Sequence, residues 1–423
     1  MTQIENILMQ LNKVKVTSIL LIILLISVSN VQALFFSQLQ NERQLTDNKL
    51  EFQEKFFDFK IKNYMRVVRY PSLVACIIKN NEIVWSKDYS LRGIFSKEKS
   101  SVDNIYGIGS VSKSITATAM MHIIENESYN VSLNDDVNKY LPFILRNPKF
   151  PDKEITIEMV LKHESSIDGI SYYKNSNISF RDILINKINF SLEDILIPSG
   201  KYYHPSVWAD AEPGEMFIYS TIGYSLFDYI LKGITGKSIE EYCQATIFKK
   251  LDMVGTSFHP SNVDQGRLAI PYSRLFNILY KTPQYDSKNL TSSMGLRSTI
   301  NDLSHYLIMH MNKGIWNNTK ILNESTINLM HTINPNSYTG SLLEFPLFNF
   351  TYGIGWGETS ILGKNYEGHT GGIYGFTCYM ICNLTTKTGV IWVTNQNSKS
   401  GFPRDGIIPV LITLSLFNKA EKL

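Results

Sequence analysis

Cysteine is scarce in this chain, with four in 423 residues: Cys76, Cys243, Cys378 and Cys382. So few in so long a chain exclude a disulfide framework. Cys378 and Cys382 stand four apart in a strand-like run, so roughly 13 Å separates them, too far for a bond to each other. Charge is also sparse, at 19% Asp, Glu, Lys and Arg, and nearly balanced at a net +3. No basic block occurs, which argues against nucleic acid as a partner. Seven histidines (122, 163, 204, 259, 305, 310 and 331) show no metal-ligand spacing, and neither a metal nor another cofactor is expected. His163, in a helix-like segment, reads as a packing or supporting residue. Repeats and low-complexity linkers are lacking too.

Aromatic residues are plentiful at 12%, and hydrophobic residues make up 43%. That is the composition of a large globular core or of two lobes. The N-terminus places Lys13 and Lys15 before an apolar run from Val16 to about Val28, then small residues ending Val31-Gln32-Ala33. This is the layout of a secretory signal peptide over residues 1–33. The run is short for a spanning helix of roughly 20 residues; the alternative is an uncleaved signal-anchor over residues 16–33. The expected location is the secretory pathway or the extracellular space, with membrane contact only if the anchor is retained. Asn-x-Ser/Thr sequons beginning at Asn126, Asn130, Asn177, Asn189, Asn289, Asn317, Asn323, Asn349 and Asn383 agree with a secreted glycoprotein.

Periodicity organises the rest. Residues 34–59 are a lead-in, and 47–64 read as a helix with Leu50, Phe57, Ile61 and Tyr64 on one face. "SLVACIIKNNEIVWSKDY" reads as two strands joined by a tight turn at Asn80-Asn81. Residues 132–270 look mainly helical with long loops, including "SLNDDVNKYLPFI" and "ITIEMVLKHESSI". "STINDLSHYLIMHMNKG" begins at an N-cap, Ser298 or Thr299, and stops at Gly314. The last third turns strand-like and closes with an apolar helix near 404–418. Strands at both ends with helices between predict an α/β + α fold: one antiparallel sheet from N- and C-terminal strands, flanked by helices, with a mostly helical lobe inserted at roughly 130–300. The domain is expected over 60–418, with a small-molecule site in the cleft between its lobes.

The chemistry centres on "YGIGSVSKSITATAM". Gly107 and Gly109 precede Ser110, and Lys113 follows it by three residues inside an apolar run. A serine hydroxyl needs a base within reach to act as a nucleophile, and side chains at i and i+3 share a helix face. A helix N-terminus also offers outward N–H groups for an oxyanion. Burial of Lys113 would disfavour its charge and make it a usable base. Two further Ser-x-x-Lys spacings, at Ser96 and Ser171, open no apolar helix.

In order along the chain, "GIGSVSKSITA", "LNDDVNKYLP", "ITIEMVLKHESSI", "PGEMFIYSTIGYSLFDYIL", "GLRSTINDLSHYL", "YGIGW" and "GHTGGIYGF" together resemble the serine β-lactamase and penicillin-binding-protein superfamily, in its class C-like peptidase and esterase branch. The resemblance covers roughly residues 60–415. It implies the β-lactamase/transpeptidase-like fold and an acyl-enzyme mechanism. Ser110 becomes the nucleophile, Lys113 its base, and Tyr219 a proton shuttle. Thr221 stands where the family's second motif, Tyr-x-Asn, has asparagine, and it lacks the amide. The usual Thr-Ser-Gly reads Ser165-Ser166-Ile167. His369-Thr370-Gly371-Gly372 takes the place of the third motif; a literal Lys-Thr-Gly at 387–389 reads as a hairpin turn instead. His369, with an ordinary pKa of about 6.5, would make activity sensitive to mildly acidic pH, either by orienting the lysine–tyrosine pair or by binding a carboxylate. Thr370, Gly371 and Thr221 would line the substrate, and the N–H groups of Ser110 and Gly372 would form the oxyanion hole.

The resulting expectation is a secreted serine hydrolase acting on a small ester, amide or peptide. Two alternatives stand beside it: a weakly catalytic scaffold or binding protein, and a true β-lactamase or penicillin-binding protein. Residues 171–212 are a loop region placed to set specificity, without a readable code. Oligomeric state is not encoded in any pattern found.

Overall fold

The computed structural model describes residues 46–90, 100–185, 187–275, 278–286, 288–333, 350–361, 363–397 and 403–423. The signal or anchor segment expected over 1–33 lies outside them. Among the described residues, no helix is long and apolar enough to cross a membrane. The chain divides into two compact units, residues 1–61 and 62–423. The described part of the first is helical and carries an exposed Glu51–Lys55 ion pair at 2.6 Å. The helix α1 runs over Thr46–Val68, four residues past the expected end.

The second unit is built on a seven-stranded antiparallel sheet. Its strands are β1 (Ser72–Lys79), β2 (Glu82–Ser90), β3 (Phe350–Tyr352), β4 (Gly357–Ile361), β5 (Lys364–Ile373), β6 (Phe376–Asn383) and β7 (Thr388–Thr394), in the spatial order β2-β1-β7-β6-β5-β4-β3. The β1–β7 pairing, Leu73 against Thr394 through Lys79 against Thr388, joins the first strand of the sheet in sequence to the last. Both strands are almost wholly buried, as an apolar run without strict alternation requires when both sheet faces are covered. Val74, Cys76 and Ile78 enter the main core with Ile391 and Val393, on the face where Cys76 Sγ reaches the Ile300 carbonyl. On β7, Trp392 instead donates to Thr413 of the C-terminal helix. The β1–β2 turn has φ of 51° at Asn80 and 68° at Asn81, the two left-handed residues that a two-residue hairpin demands.

Helices pack around this sheet. The helix α2 (Ser112–Glu125) is buried nearly all round. Between it and residue 290 lies a lobe of short helices and long loops, whose longest helix is Phe227–Thr235. The helical reading of "SLNDDVNKYLPFI" is wrong: only the 3₁₀ turn Val137–Lys139 forms there. Asp136 caps it by accepting the Asn138 N–H, and Asn138 ties both its amide groups to Leu145. Side chains that bind nearby backbone in this way compete with helix. Further on come α3 (Thr221–Tyr224), α4 (Thr291–Met294), α5 (Ile300–Met311) and α6 (Pro403–Ala420). Thr299 is the N-cap of α5, accepting the Asp302 N–H. Both α5 and α6 pack on β1 and β7.

Candidate active site

Ser110 sits in the 3₁₀ turn Gly109–Val111 that leads into α2. Gly109 has φ +53°, a conformation in which a Cβ would be strained. Gly107 pairs with Arg297 in a two-residue strand, and a Cβ there would come within 2.8 Å of Phe376 and of Tyr285. The turn lies directly against β5. A Cβ on Gly371 would collide with the Ile108 carbonyl oxygen and come within 3.1 Å of the Ser110 nitrogen. The Gly372 nitrogen lies 3.1 Å from where a Gly109 Cβ would be, while a Cβ on Gly372 itself would meet nothing within 4 Å. Glycine is therefore what lets two backbones touch beside the serine.

Lys113 is fully buried one turn into α2. Its Nζ lies 3.0 Å from Ser110 Oγ and donates to the Ser293 carbonyl at 2.8 Å. The Tyr219 ring centroid is 5.1 Å from this nitrogen and that of Tyr224 is 5.8 Å away. Desolvation brings the lysine down to about 7; among the described residues its surroundings supply a carbonyl and aromatic faces but no carboxylate to hold the charge. Burial raises the Tyr219 phenol pKa, against a smaller lowering influence of the neighbouring Ser110 side chain. The structure thus brings Ser110, Lys113 and Tyr219 together.

His369 lies on β5, buried. Its Nδ1 is 2.7 Å from the Thr370 carbonyl oxygen and its Nε2 is 3.0 Å from the Tyr352 hydroxyl. A carbonyl only accepts, so Nδ1 carries the proton and Nε2 takes the Tyr352 O–H. Its ring centroid is 6.5 Å from that of Tyr219. Burial first, and then the Lys113 charge, press its pKa to about 3. The expected sensitivity to mildly acidic pH therefore does not come from His369, nor does a protonated imidazole to bind a carboxylate. Thr370 and Gly372 are exposed and Gly371 is buried. Thr221 opens α3, partly exposed, two residues past Tyr219. Lys387 is exposed in the β6–β7 turn, with φ 48°. Among the described residues no group of three His, Cys, Asp or Glu side chains is set to hold a metal ion.

Three further residues support the site: His163, which the sequence already places as a packing or supporting residue, and Asp228 and Tyr352, which are not singled out there. Asp228 accepts the N–H groups of Thr291 at 3.1 Å and Ser292 at 2.9 Å, which fixes the start of α4 and so the Ser293 carbonyl that faces Lys113. Burial pushes the Asp228 carboxyl up to about 7. Tyr352 donates its O–H to His369 Nε2, the nitrogen left unprotonated by the Nδ1 bond to the Thr370 carbonyl. His163 reaches the site's aromatic wall, with its ring centroid 4.4 Å from that of Tyr219. The Ser165-Ser166-Ile167 departure leaves the backbone intact, because the left-handed residues here are His163 and Ser166, both at φ 60°, and not Ile167.

Residues 57–408 match the family model described as Beta-lactamase. Protein flp of Staphylococcus aureus (strain N315) is 26% identical over 333 residues, which cover 78% of this chain and 60% of that protein. The chain thus spans about three fifths of the length of such curated relatives. The octameric penicillin-binding protein homologue from Pyrococcus abyssi superposes with a TM-score of 0.67 at 27% identity, over 85% of this chain and 77% of its own. The D-amino acid amidase from Ochrobactrum anthropi SV3, in its complex with D-phenylalanine, gives 0.67 at 17% identity over 86% and 99%, a likeness of fold.

Proposed function

This chain belongs to the beta-lactamase family of serine hydrolases, and we propose that it hydrolyses a small ester or amide, including short peptides, through an acyl-enzyme on Ser110. The observation that carries this reading is the 3.0 Å contact between Ser110 Oγ and a fully buried Lys113 with no carboxylate partner among the described residues. Neutral Lys113 takes the proton as Ser110 Oγ bonds to the substrate carbonyl carbon. The carbonyl oxygen becomes an oxyanion, received by the N–H groups of Ser110 and Gly372. As the C–O or C–N bond breaks, the proton passes from Lys113 by way of Tyr219 to the leaving group. Water then attacks the acyl carbon and gives its proton to the same pair, which passes it to Ser110 Oγ as the Oγ–acyl bond breaks and the acid product leaves.

Thr221 in place of asparagine removes an amide that would meet a substrate carbonyl, which favours ester and peptide-like substrates over penicillins. The shared fold with a D-amino acid amidase is in keeping with amide substrates. Hydrolysis of a chromogenic ester by the purified chain, beside Ser110→Ala and Lys113→Ala, tests the reading. Turnover in the parent and its loss in both variants is expected, by at least about 10³-fold. Undiminished turnover in either variant would refute it.

A further inference from the structure

His163 follows the short helix Ile157–Leu161 and has a left-handed backbone, φ 60°. Its carbonyl accepts the Ile218 N–H at 2.7 Å, and the Glu164 carbonyl accepts the Gly214 N–H at 2.7 Å. The segment that carries Tyr219 is therefore clamped to the histidine's own backbone. The side chain adds a further bond: Nδ1 lies 3.1 Å from the Ser220 nitrogen. A backbone N–H only donates, so Nδ1 is unprotonated and the ring proton is on Nε2. Nε2 is buried and, among the described residues, has no hydrogen-bond partner. Around the ring stand Tyr219 at 4.4 Å, Tyr224 at 4.9 Å, Tyr352 at 5.0 Å and Phe217 at 5.8 Å between centroids.

We propose that His163 is a positioning residue for Tyr219: its Nδ1 holds the Ser220 N–H and its ring packs on the Tyr219 ring, and together they aim the phenol at Ser110. Two costs point beyond packing. A left-handed backbone is strained for a residue with a Cβ, and a buried N–H without a partner is unfavourable. A phenylalanine would fill this aromatic wall without the second cost, but it would leave the Ser220 N–H unpaired at the residue next to the phenol. Burial and the neighbouring Lys113 charge hold the imidazole well below its ordinary range, so the acceptor nitrogen stays free of a proton across neutral pH. The inference rests on the acyl-enzyme reading for its kinetic consequence, though not for its geometry.

His163→Gly and His163→Asn separate the side-chain acceptor from the backbone strain. Both residues accept a left-handed backbone, but only asparagine offers an oxygen near the place of Nδ1. The rate of acyl-enzyme formation from a chromogenic ester is expected to fall about 10²-fold in His163→Gly, with KM changed little, and to recover about tenfold in His163→Asn. Wild-type kcat in His163→Gly, or equal rates in the two variants, would overturn the proposal. A second measurement does not depend on turnover. Nitrogen-15 NMR of histidine-labelled protein, with His163→Asn identifying the signal, should report a neutral Nε2–H tautomer from pH 6 to 8. A proton on Nδ1 would overturn the proposal even in an active enzyme. If instead Ser110→Ala turned over ester like the parent while the tautomer stood as described, the acyl-enzyme reading would fail and the placement of the Tyr219 segment by His163 would stand.

Discussion

Lys113 and His369 illustrate how burial, rather than residue type, assigns titration behaviour. Both are bases in one pocket, and the Lys113 charge disfavours protonation of His369 as well as of His163. The lysine, with the higher intrinsic affinity for a proton, keeps it until about pH 7, whereas the imidazole gives it up near 3. Attack by Ser110 needs Lys113 neutral, so kcat/KM is expected to rise with pH through about 7 and to level off above it. No further bend from His369 should appear between pH 5 and 9. Asp228 is the rival, since its carboxyl also titrates near 7. Its ionised form is the one that accepts the Thr291 and Ser292 N–H groups, so its loss of a proton would also improve the site. Asp228→Asn decides between them. A pH profile of the ester hydrolysis that keeps its midpoint in this variant assigns the limb to Lys113, and a limb that disappears assigns it to Asp228. A midpoint near 6.5 that vanishes in His369→Gln would return the limb to His369.

Strand β5 and the Ser110 turn form the element-scale unit of the site, and two neighbouring glycines in it do opposite things. Gly371 faces Ile108 and the Ser110 nitrogen with no room for a Cβ, while Gly372 faces open space. Gly371→Ala is expected to cost about 1–3 kcal/mol as overpacking and to lower ester turnover at least about 10²-fold by moving β5 from the serine. Gly372→Ala should leave the melting temperature nearly unchanged. Thermal denaturation and burst kinetics of the pair check both; equal melting temperatures for the two variants would contradict the packing described. β5, polar and glycine-rich, reads as strand-like only with the rest of the last third, whereas β1, β6 and β7 were legible in the sequence as apolar runs bounded by turn residues, and β2 by its alternation. So was Ser110 with Lys113, since i, i+3 spacing is a local fact. The partners that complete the site were not. Ser293 reaches Lys113 from 180 residues away, and Asp228 reaches α4 over more than 60 residues. Neither has a neighbour in sequence that marks it. His163 lay in a segment whose helical pattern stops at Leu161, and the turn that aims its ring depends on bonds to residues 214–220.

At the scale of the second unit, β5 is tied to the rest of the sheet through a run of strand pairings. β5 is held by β6, β6 by β7, and β7 by β1, from near the start of this unit. Trp392 stands at the middle of that chain of contacts. It is fully buried, stacks on Tyr379 of β6 at 4.4 Å with 9° between ring planes, and donates to Thr413 of α6 at 2.9 Å. Its residue pairs with Ala75 on β1 and Tyr379 on β6. Trp392→Ala is therefore expected to destabilise the fold by about 3–5 kcal/mol. Its effect on the site should come through unfolding alone, because the partners of its ring, Tyr379, Tyr70 and Thr413, are not site residues. Two curves measured against temperature make the distinction: far-UV circular dichroism, and covalent labelling of Ser110 by a fluorophosphonate. In Trp392→Ala both should shift to lower temperature together, with labelling at 20 °C equal to the parent's. Labelling that disappears well below the circular dichroism transition would mean that the serine turn and β5 come apart while the rest of the sheet holds. The run of strand pairings would then not be what keeps the site assembled.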